Sequence, residues 1–271
     1  MRRLTFVLLL SSGLFAQNDP VSRSWNQPVE PFRIAGNLYY VGASDITSYL
    51  ITTPKGHIVL DGGFVETAPM ILANIRKLGF EPKDVRILLN SHAHLDHAGG
   101  LAELKRVTGA ALYASRGDIP LLARGGLDDP QFGNKYPFPP VWADRIVEDG
   151  ARVALGGTTL TARITAGHTP GCTTWTTRIG KRDVVLVCSP TAPSEYRLTS
   201  NPRYPNAVED YRRQFRTLKS LGCDIFLGSH GAFFGLAEII AGKKSVAGCD
   251  AYHAFVEGIE RRFEERVRRG E

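Results

Sequence analysis

The run Ser91-His92-Ala93-His94-Leu95-Asp96-His97-Ala98-Gly99-Gly100 constrains this chain more than any other stretch. Four side chains able to bind a metal fall between positions 92 and 97. An apolar run, Val85-Arg86-Ile87-Leu88-Leu89, precedes them and reads as a buried strand; Leu101, Leu104 and Val107 follow at helical spacing. The cluster therefore occupies a loop that leaves a strand for a helix, where α/β folds place their chemistry. Imidazole and carboxylate together suit zinc, an ion with no geometric demand of its own. A purely structural zinc site would be closed by four ligands and rich in cysteine; this one is rich in histidine.

The rest of the chain alternates between strand and helix patterns, which makes it α/β. Short β-rich runs at 38–41, 48–51 and 58–60 are followed by a helix over 67–78. Further strands are expected at 111–113, 145–148, 152–155, 159–164, 173–178, 184–187 and 224–227. A helix is expected over 207–221, with Asn206 and Glu209 as a capping pair and Gly222 as its stop. Two more helices close the chain. No linker divides it, although two βα halves, roughly 30–150 and 151–271, look alike in plan. The loop 125–140 carries Phe132, Tyr136 and Phe138 and reads either as a pocket wall or lid, or as a plain connector.

Two further histidines stand at strand ends: His168 in Thr165-Ala166-Gly167-His168-Thr169-Pro170-Gly171, and His230 in Gly228-Ser229-His230-Gly231. His57 and His253 fall inside a strand and a helix and read as structural. The strand-end set, His92, His94, Asp96, His97, His168 and His230, offers six ligands. A catalytic zinc uses three protein ligands and keeps one position open for water. Six ligands divide into two such sets, which argues for a binuclear site.

Charge and termini narrow the function. The net charge is +6, and the basic positions Arg261, Arg262, Arg266, Arg268 and Arg269 are interleaved with Glu257, Glu260, Glu264 and Glu265, as on a salt-bridged helix face. Nothing here argues for nucleic acid. Residues 1–16 look like a secretory signal: Arg2-Arg3, an apolar run, then small residues before a cut after Ala16, leaving 17–271 as a single domain. The run is too short to span a membrane. Export to an oxidising compartment permits disulfides, and four cysteines allow three pairings.

His-x-His-x-Asp-His with Gly-Gly, then Gly-His-Thr-Pro-Gly, then Gly-Ser-His resembles the metallo-β-lactamase superfamily over nearly the whole mature chain. Asp61-Gly62-Gly63 matches that family's aspartate behind the ligands. Ser189-Pro190-Thr191-Ala192-Pro193, the opening His92, Ile34 to Gly42, and Ala143-Asp144-Arg145 are similar to the third subclass of class B zinc β-lactamases. One departure is Cys188, where these enzymes usually carry an acidic residue; it reads as a buried thiol or as an extra zinc ligand. The resemblance implies a four-layer αβ/βα sandwich with the metal site at the edge of the two sheets. It implies two Zn2+ per chain, one on His92, His94 and His168, the other on Asp96, His97 and His230. The implied reaction is hydrolysis of the β-lactam amide of penicillins, cephalosporins and carbapenems by a hydroxide between the metals, with Asp96 orienting the water. Ser189 and Thr191 would bind the substrate carboxylate, unless they are ordinary turn residues. The resemblance also implies a Cys223–Cys249 disulfide, with Cys172 and Cys188 free, and a periplasmic enzyme of antibiotic resistance. No stable membrane association and no assembly beyond a monomer is expected. The alternative is a thiolester or lactone hydrolase on the same dizinc site.

Overall fold

The computed structural model describes residues 20–246 and 248–271; the segment read as a secretory signal, 1–16, lies outside the described residues. The first sheet takes its strands in chain order: β1 (Phe32–Ala35), β2 (Leu38–Tyr40), β3 (Tyr49–Thr53), β4 (Gly56–Leu60), β5 (Val85–Leu89), β6 (Ala111–Ser115) and β7 (Arg145–Val147). The second comprises β8 (Arg152–Leu155), β9 (Thr158–Ile164), β10 (Thr173–Ile179), β11 (Arg182–Val187) and β12 (Ile225–Gly228), ordered β12-β11-β10-β9-β8. The helices are α1 (Pro20–Trp25), α2 (Thr67–Lys77), α3 (Leu95–Ala98), α4 (Leu101–Thr108), α5 (Ile119–Ala123), α6 (Ala207–Lys219), α7 (Leu236–Ile240) and α8 (Cys249–Arg268).

The pairing pattern decides where chemistry can sit. Strands β1 to β4 form an antiparallel meander, whereas β4 to β7 run parallel. In the second sheet only β11 and β12 are parallel. Parallel neighbours need a crossover, and α2, α3 with α4, α5, and α6 supply them. Each crossover opens with a loop at the carboxyl end of a strand. The loops after β4, β5, β9, β11 and β12 carry Asp61, the His92 to His97 cluster, His168, Ser189 and His230.

Two apolar clusters build the layers. Tyr40, Tyr49, Ile51, Ile58 and Leu60 of the first sheet meet Leu160, Ala162, Trp175, Val184 and Leu186 of the second, and the same cluster extends to Tyr211, Phe215, Tyr252, Val256 and Phe263 of α6 and α8. On the other face of the first sheet, Leu50, Val59, Leu88 and Leu112 pack with Ile71, Leu72, Ile75, Leu101 and Leu104 of α2 and α4. Helix, sheet, sheet and helix thus form the four-layer αβ/βα sandwich. Trp175, fully buried, donates its indole N–H to the Asn90 carbonyl at 3.1 Å, pinning β10 to the end of β5 directly beneath the histidine loop.

Several expectations change. Strand β1 was not foreseen as a strand. Asn206 makes no side-chain cap, and Glu209 pairs instead with Arg216 at 2.8 Å; α6 is capped by Ser220, before Gly222. Charges of α8 reach across to α6 rather than only along their own helix: Glu264 to Arg212 at 2.8 Å and Glu260 to Lys219 at 2.8 Å. The expected Cys223–Cys249 disulfide is corrected. The structure joins Cys172 to Cys188 and leaves Cys223 and Cys249 as free thiols. The reason is register. Trp175 lies opposite Leu186 in the β10–β11 hairpin, so the chain ahead of β10 meets the chain after β11, and the two Cα atoms stand 5.9 Å apart. Among the described residues, no helix is long and apolar enough to cross a membrane.

Candidate metal centre

Contacts between the loops shape the cradle. Asp61, directly after β4, holds a left-handed backbone at φ 65°, a strained state for a residue with a Cβ. From there Oδ1 accepts the Ser91 amide at 2.6 Å and the Asn90 side-chain amide at 3.1 Å. Gly100 is required by the same approach: a Cβ there would lie 2.2 Å from the Gly62 carbonyl oxygen. Asp118, at the start of α5, is 1 % exposed. Its carboxylate accepts the amides of Ala93 at 2.9 Å and Gly171 at 2.8 Å and the Thr169 hydroxyl at 2.8 Å. Burial pushes its carboxyl up to about 6, against the pull of those donors. His230 is brought in by an antiparallel bridge to Ile46, and Asp45 Oδ1 accepts the Ala232 amide at 2.7 Å.

The six expected ligands converge. His94 Nδ1 lies 3.1 Å from His168 Nε2, and the His92 ring centroid stands 4.9 and 4.8 Å from theirs. His97 Nε2 lies 3.4 Å from His230 Nε2, with Asp96 Oδ2 at 3.2 and 3.6 Å from them. Two imidazole nitrogens on one tetrahedral zinc stand about 3.3 Å apart, given Zn–N distances of about 2.0–2.1 Å. His92, His94 and His168 have ligand atoms within 4.8 Å of one another, as do His92, Asp96 and His97. His92 Nε2, His94 Nε2 and His97 Nδ1 are all buried and make no hydrogen bond; a carboxylate approaches the latter two, whereas His92 Nε2 is left for a ligand. The donor set and its spacing fit a divalent zinc-like ion.

Behind the ligands, each ring has a polar neighbour on the nitrogen turned away from the others. His168 Nδ1 donates to the Thr191 carbonyl at 2.8 Å; His230 Nδ1 faces Asp45 Oδ2 at 2.8 Å; His92 Nδ1 faces Ser91 Oγ at 3.0 Å. His97 Nδ1 lies 3.7 Å from Asp61 Oδ2, and His94 Nε2 lies 3.4 Å from Asp129 Oδ2. Such outer partners set tautomer and ring orientation in metal sites. Burial, reinforced by the neighbouring imidazoles, holds His92 and His168 well below the usual histidine range, so both are neutral and able to ligate. Around His97 burial pulls down, but the Asp96 and Asp61 carboxylates win and push it up to about 10. Burial opposes the charge of Asp96, yet His97 and His230 hold its carboxyl far below the usual range.

Ser189 Oγ and Thr191 Oγ1 form a pair at 3.0 Å beside this cluster, and Tyr211 also donates to the Thr191 carbonyl at 2.8 Å. Cys188 is neither a free thiol nor a separate ligand: its sulfur, bonded to Cys172, sits 3.6 Å from His92 Nδ1. His57 and His253 stand apart from the cluster; His57 accepts the Thr53 amide at 3.4 Å and meets the Phe80 ring at 5.1 Å. The loop 125–140 is a wall: Phe132 packs on His94 with ring centroids at 5.1 Å and on Tyr196 at 5.1 Å. Asp45, Asp118 and Asp129 were missed from the sequence. Asp118 has the position of a helix cap, and its carboxylate makes no cap bond.

A family model described as the metallo-β-lactamase superfamily matches residues 41–230. Among curated proteins, the N-acyl homoserine lactonase AttM of Azorhizobium caulinodans is 31% identical over 169 residues, 51% of this chain and 62% of that one. The chain thus spans under two thirds of the curated relatives it matches first. Solved structures align more fully. A Cronobacter sakazakii metallo-β-lactamase with a HARLDQ motif is 39% identical with a TM-score of 0.89, covering 92% of this chain and 98% of that one. BJP-1, a subclass B3 metallo-β-lactamase of Bradyrhizobium japonicum, is 38% identical with a TM-score of 0.83, covering 91% and 96%.

Proposed function

The chain belongs to the metallo-β-lactamase superfamily, and on that premise we propose that it is a zinc β-lactamase of subclass B3 that hydrolyses the amide bond of penicillins, cephalosporins and carbapenems. The observation that supports the reading is the convergence of the six candidate side chains in two facing groups, on a chain that aligns over nine tenths of its length with such enzymes. His92, His94 and His168 would hold one zinc ion; Asp96, His97 and His230 would hold the second. The metal supplies Lewis acidity and, at neutral pH, an acidified water as nucleophile.

The chain's own residues do the rest. Asp96, partly exposed and 3.2 Å from His97 Nε2, would orient the reacting water through a carboxylate oxygen. The Ser189 and Thr191 hydroxyls, 3.0 Å apart, would bind the substrate carboxylate. Phe132 on His94, Tyr196 on His168, and Trp25 with Phe233 on His230 surround the imidazoles with apolar rings and limit water. The reading includes export by the 1–16 leader, a periplasmic single domain 17–271, and a monomer with no membrane or nucleic-acid partner. The similarity to lactonases over half the chain keeps lactone hydrolysis as a second reading on the same site.

The test is hydrolysis of a carbapenem, a chromogenic cephalosporin and an acyl homoserine lactone by purified protein, with EDTA and with added zinc. Turnover of both β-lactams, abolished by chelator and restored by zinc, is expected. A zinc-replete protein that opens the lactone and leaves both β-lactams intact would replace the first reading by the second.

A further inference from the structure

His94 is held from behind by a residue that no strand end supplies. Its Nδ1 faces His168, which leaves Nε2 on the far side; Nε2 is buried without a hydrogen bond, and Asp129 Oδ2 approaches it to 3.4 Å. Asp129 belongs to the 125–140 wall loop, yet it is 3 % exposed. A carboxylate is costly to bury unless its oxygens are satisfied. Asp129 Oδ1 is: it accepts the amides of Gln131 at 2.7 Å and Phe132 at 2.6 Å. Oδ2 is left for His94.

The loop around Asp129 is anchored, so the carboxylate has a fixed address. Gln131 Oε1 accepts the Arg197 amide at 3.1 Å and the Asn201 side-chain amide at 3.2 Å, and Lys135 pairs with Glu195 at 2.7 Å. Phe132, three residues on in the same turn, packs at a tilt against the His94 ring with centroids 5.1 Å apart. One turn therefore approaches both the far nitrogen and the ring of a single imidazole.

We infer that Asp129 is the positioning residue for His94: it accepts the Nε2 proton, fixes the tautomer that presents Nδ1 to the metal, and so couples the wall of the pocket to the three-histidine set. The inference rests on His94 being a metal ligand, the reading proposed above. A second consequence follows from reciprocity of binding free energies: whatever the loop adds to metal binding, bound metal returns to the order of the loop.

Asp129→Asn separates the roles. The amide oxygen can keep the turn by accepting the Gln131 and Phe132 amides, which places the NH2 group against His94 Nε2. A donor there disfavours the Nε2–H tautomer. Zinc affinity is read by competition with a chromogenic chelator, and the His94 tautomer by 15N NMR of the metal-free protein. Asp128→Asn, a change to the exposed neighbour that pairs with Arg203, is the control. Expected are a zinc affinity about 10- to 100-fold weaker for Asp129→Asn, a loss of the Nε2–H signature, and an unchanged control. Retention of both affinity within twofold and the Nε2–H tautomer would overturn the inference, as would an equal loss in Asp128→Asn. Should Asp129→Asn fail to fold by circular dichroism, Asp129→Glu, which keeps the charge but displaces it, is decisive: wild-type affinity overturns the inference and weakened affinity supports it. A wild-type chain that binds no zinc sinks the metal reading itself and this inference with it. None of these readings depends on β-lactam turnover.

Discussion

The Ala93 amide donates to Asp118 Oδ2 at 2.9 Å, and this buried contact ties the loop after β5 to the loop of His168, because the same carboxylate takes the Gly171 amide and the Thr169 hydroxyl. Truncating Asp118 strands these donors where water is scarce. Asp118→Ala is expected to lower the unfolding free energy by about 3 kcal/mol, since leaving a buried polar group unpaired costs about 1–3 kcal/mol. Urea unfolding of the metal-stripped protein measures this without a contribution from bound ion. A loss below about 1 kcal/mol would mean that the two loops are held by their own packing.

On the proposed assignment His230 and His168 would hold different ions, so their removal has different expected consequences. His230→Ala leaves His92, His94 and His168 untouched. Metal analysis after dialysis against zinc should show one ion per chain in place of two, with turnover reduced about 100-fold or more. His168→Ala should instead deplete the three-histidine set. Two zinc ions retained in His230→Ala would remove this residue from the ligand set.

Ser189 and Thr191 bring their hydroxyls to 3.0 Å from each other, a pair suited to one carboxylate. The double substitution Ser189→Ala, Thr191→Val should raise KM about tenfold with kcat nearly unchanged, since a hydrogen bond to a charged group is worth about 1.5–3 kcal/mol and acts before the chemical step. A fall in kcat at constant KM would place the pair in the reaction itself rather than in binding.

How much of this was legible beforehand depends on whether a feature is local. The candidate ligands His92, His94, Asp96 and His97 sit in one short stretch, and His168 and His230 each follow a recognisable strand, so periodicity and residue type single them out as a group. The helices 67–77 and 207–219 show their apolar stripes. Asp45, Asp118 and Asp129 are different: each acts on a loop far away in sequence, and no spacing announces a carboxylate that the fold turns inward. The cysteine pairing failed for the same reason. It depends on the register of the β10–β11 hairpin, which brings Cys172 and Cys188 together across 16 residues.

The pairing makes a chemical prediction. Denatured without reductant, the protein should yield two alkylated cysteines, Cys223 and Cys249, while Cys172 and Cys188 appear as one linked peptide pair. In the native protein Cys223 should resist labelling, because burial, with Cys249 and Asp224 beside it, pushes its thiol up to about 12 and the thiolate is the reactive form. Peptide mapping after alkylation decides it. Labelled Cys172 and Cys188 would return the link to Cys223 and Cys249.

His57 gives the fold a pH dependence of its own, away from the metal ligands. It is buried on β4, with the Thr53 amide on Nδ1 and Phe80 against its ring. Burial, helped by the Arg86 charge, lowers its pKa below the ordinary 6.5, against the pull of Gly56 and Asp84. The folded state therefore binds this proton less tightly than the unfolded chain. By linkage its stabilising share is complete above the unfolded pKa and is lost as pH falls from 6.5 through the lower folded value. Replacing it by a residue that does not titrate, His57→Gln, should flatten the decline in urea midpoint between about pH 6.5 and 5, where an ordinary histidine takes up its proton. Both proteins are compared with zinc bound, so that the ligand histidines contribute equally. Parallel curves for the two proteins would show that His57 is protonated as readily in the fold as outside it.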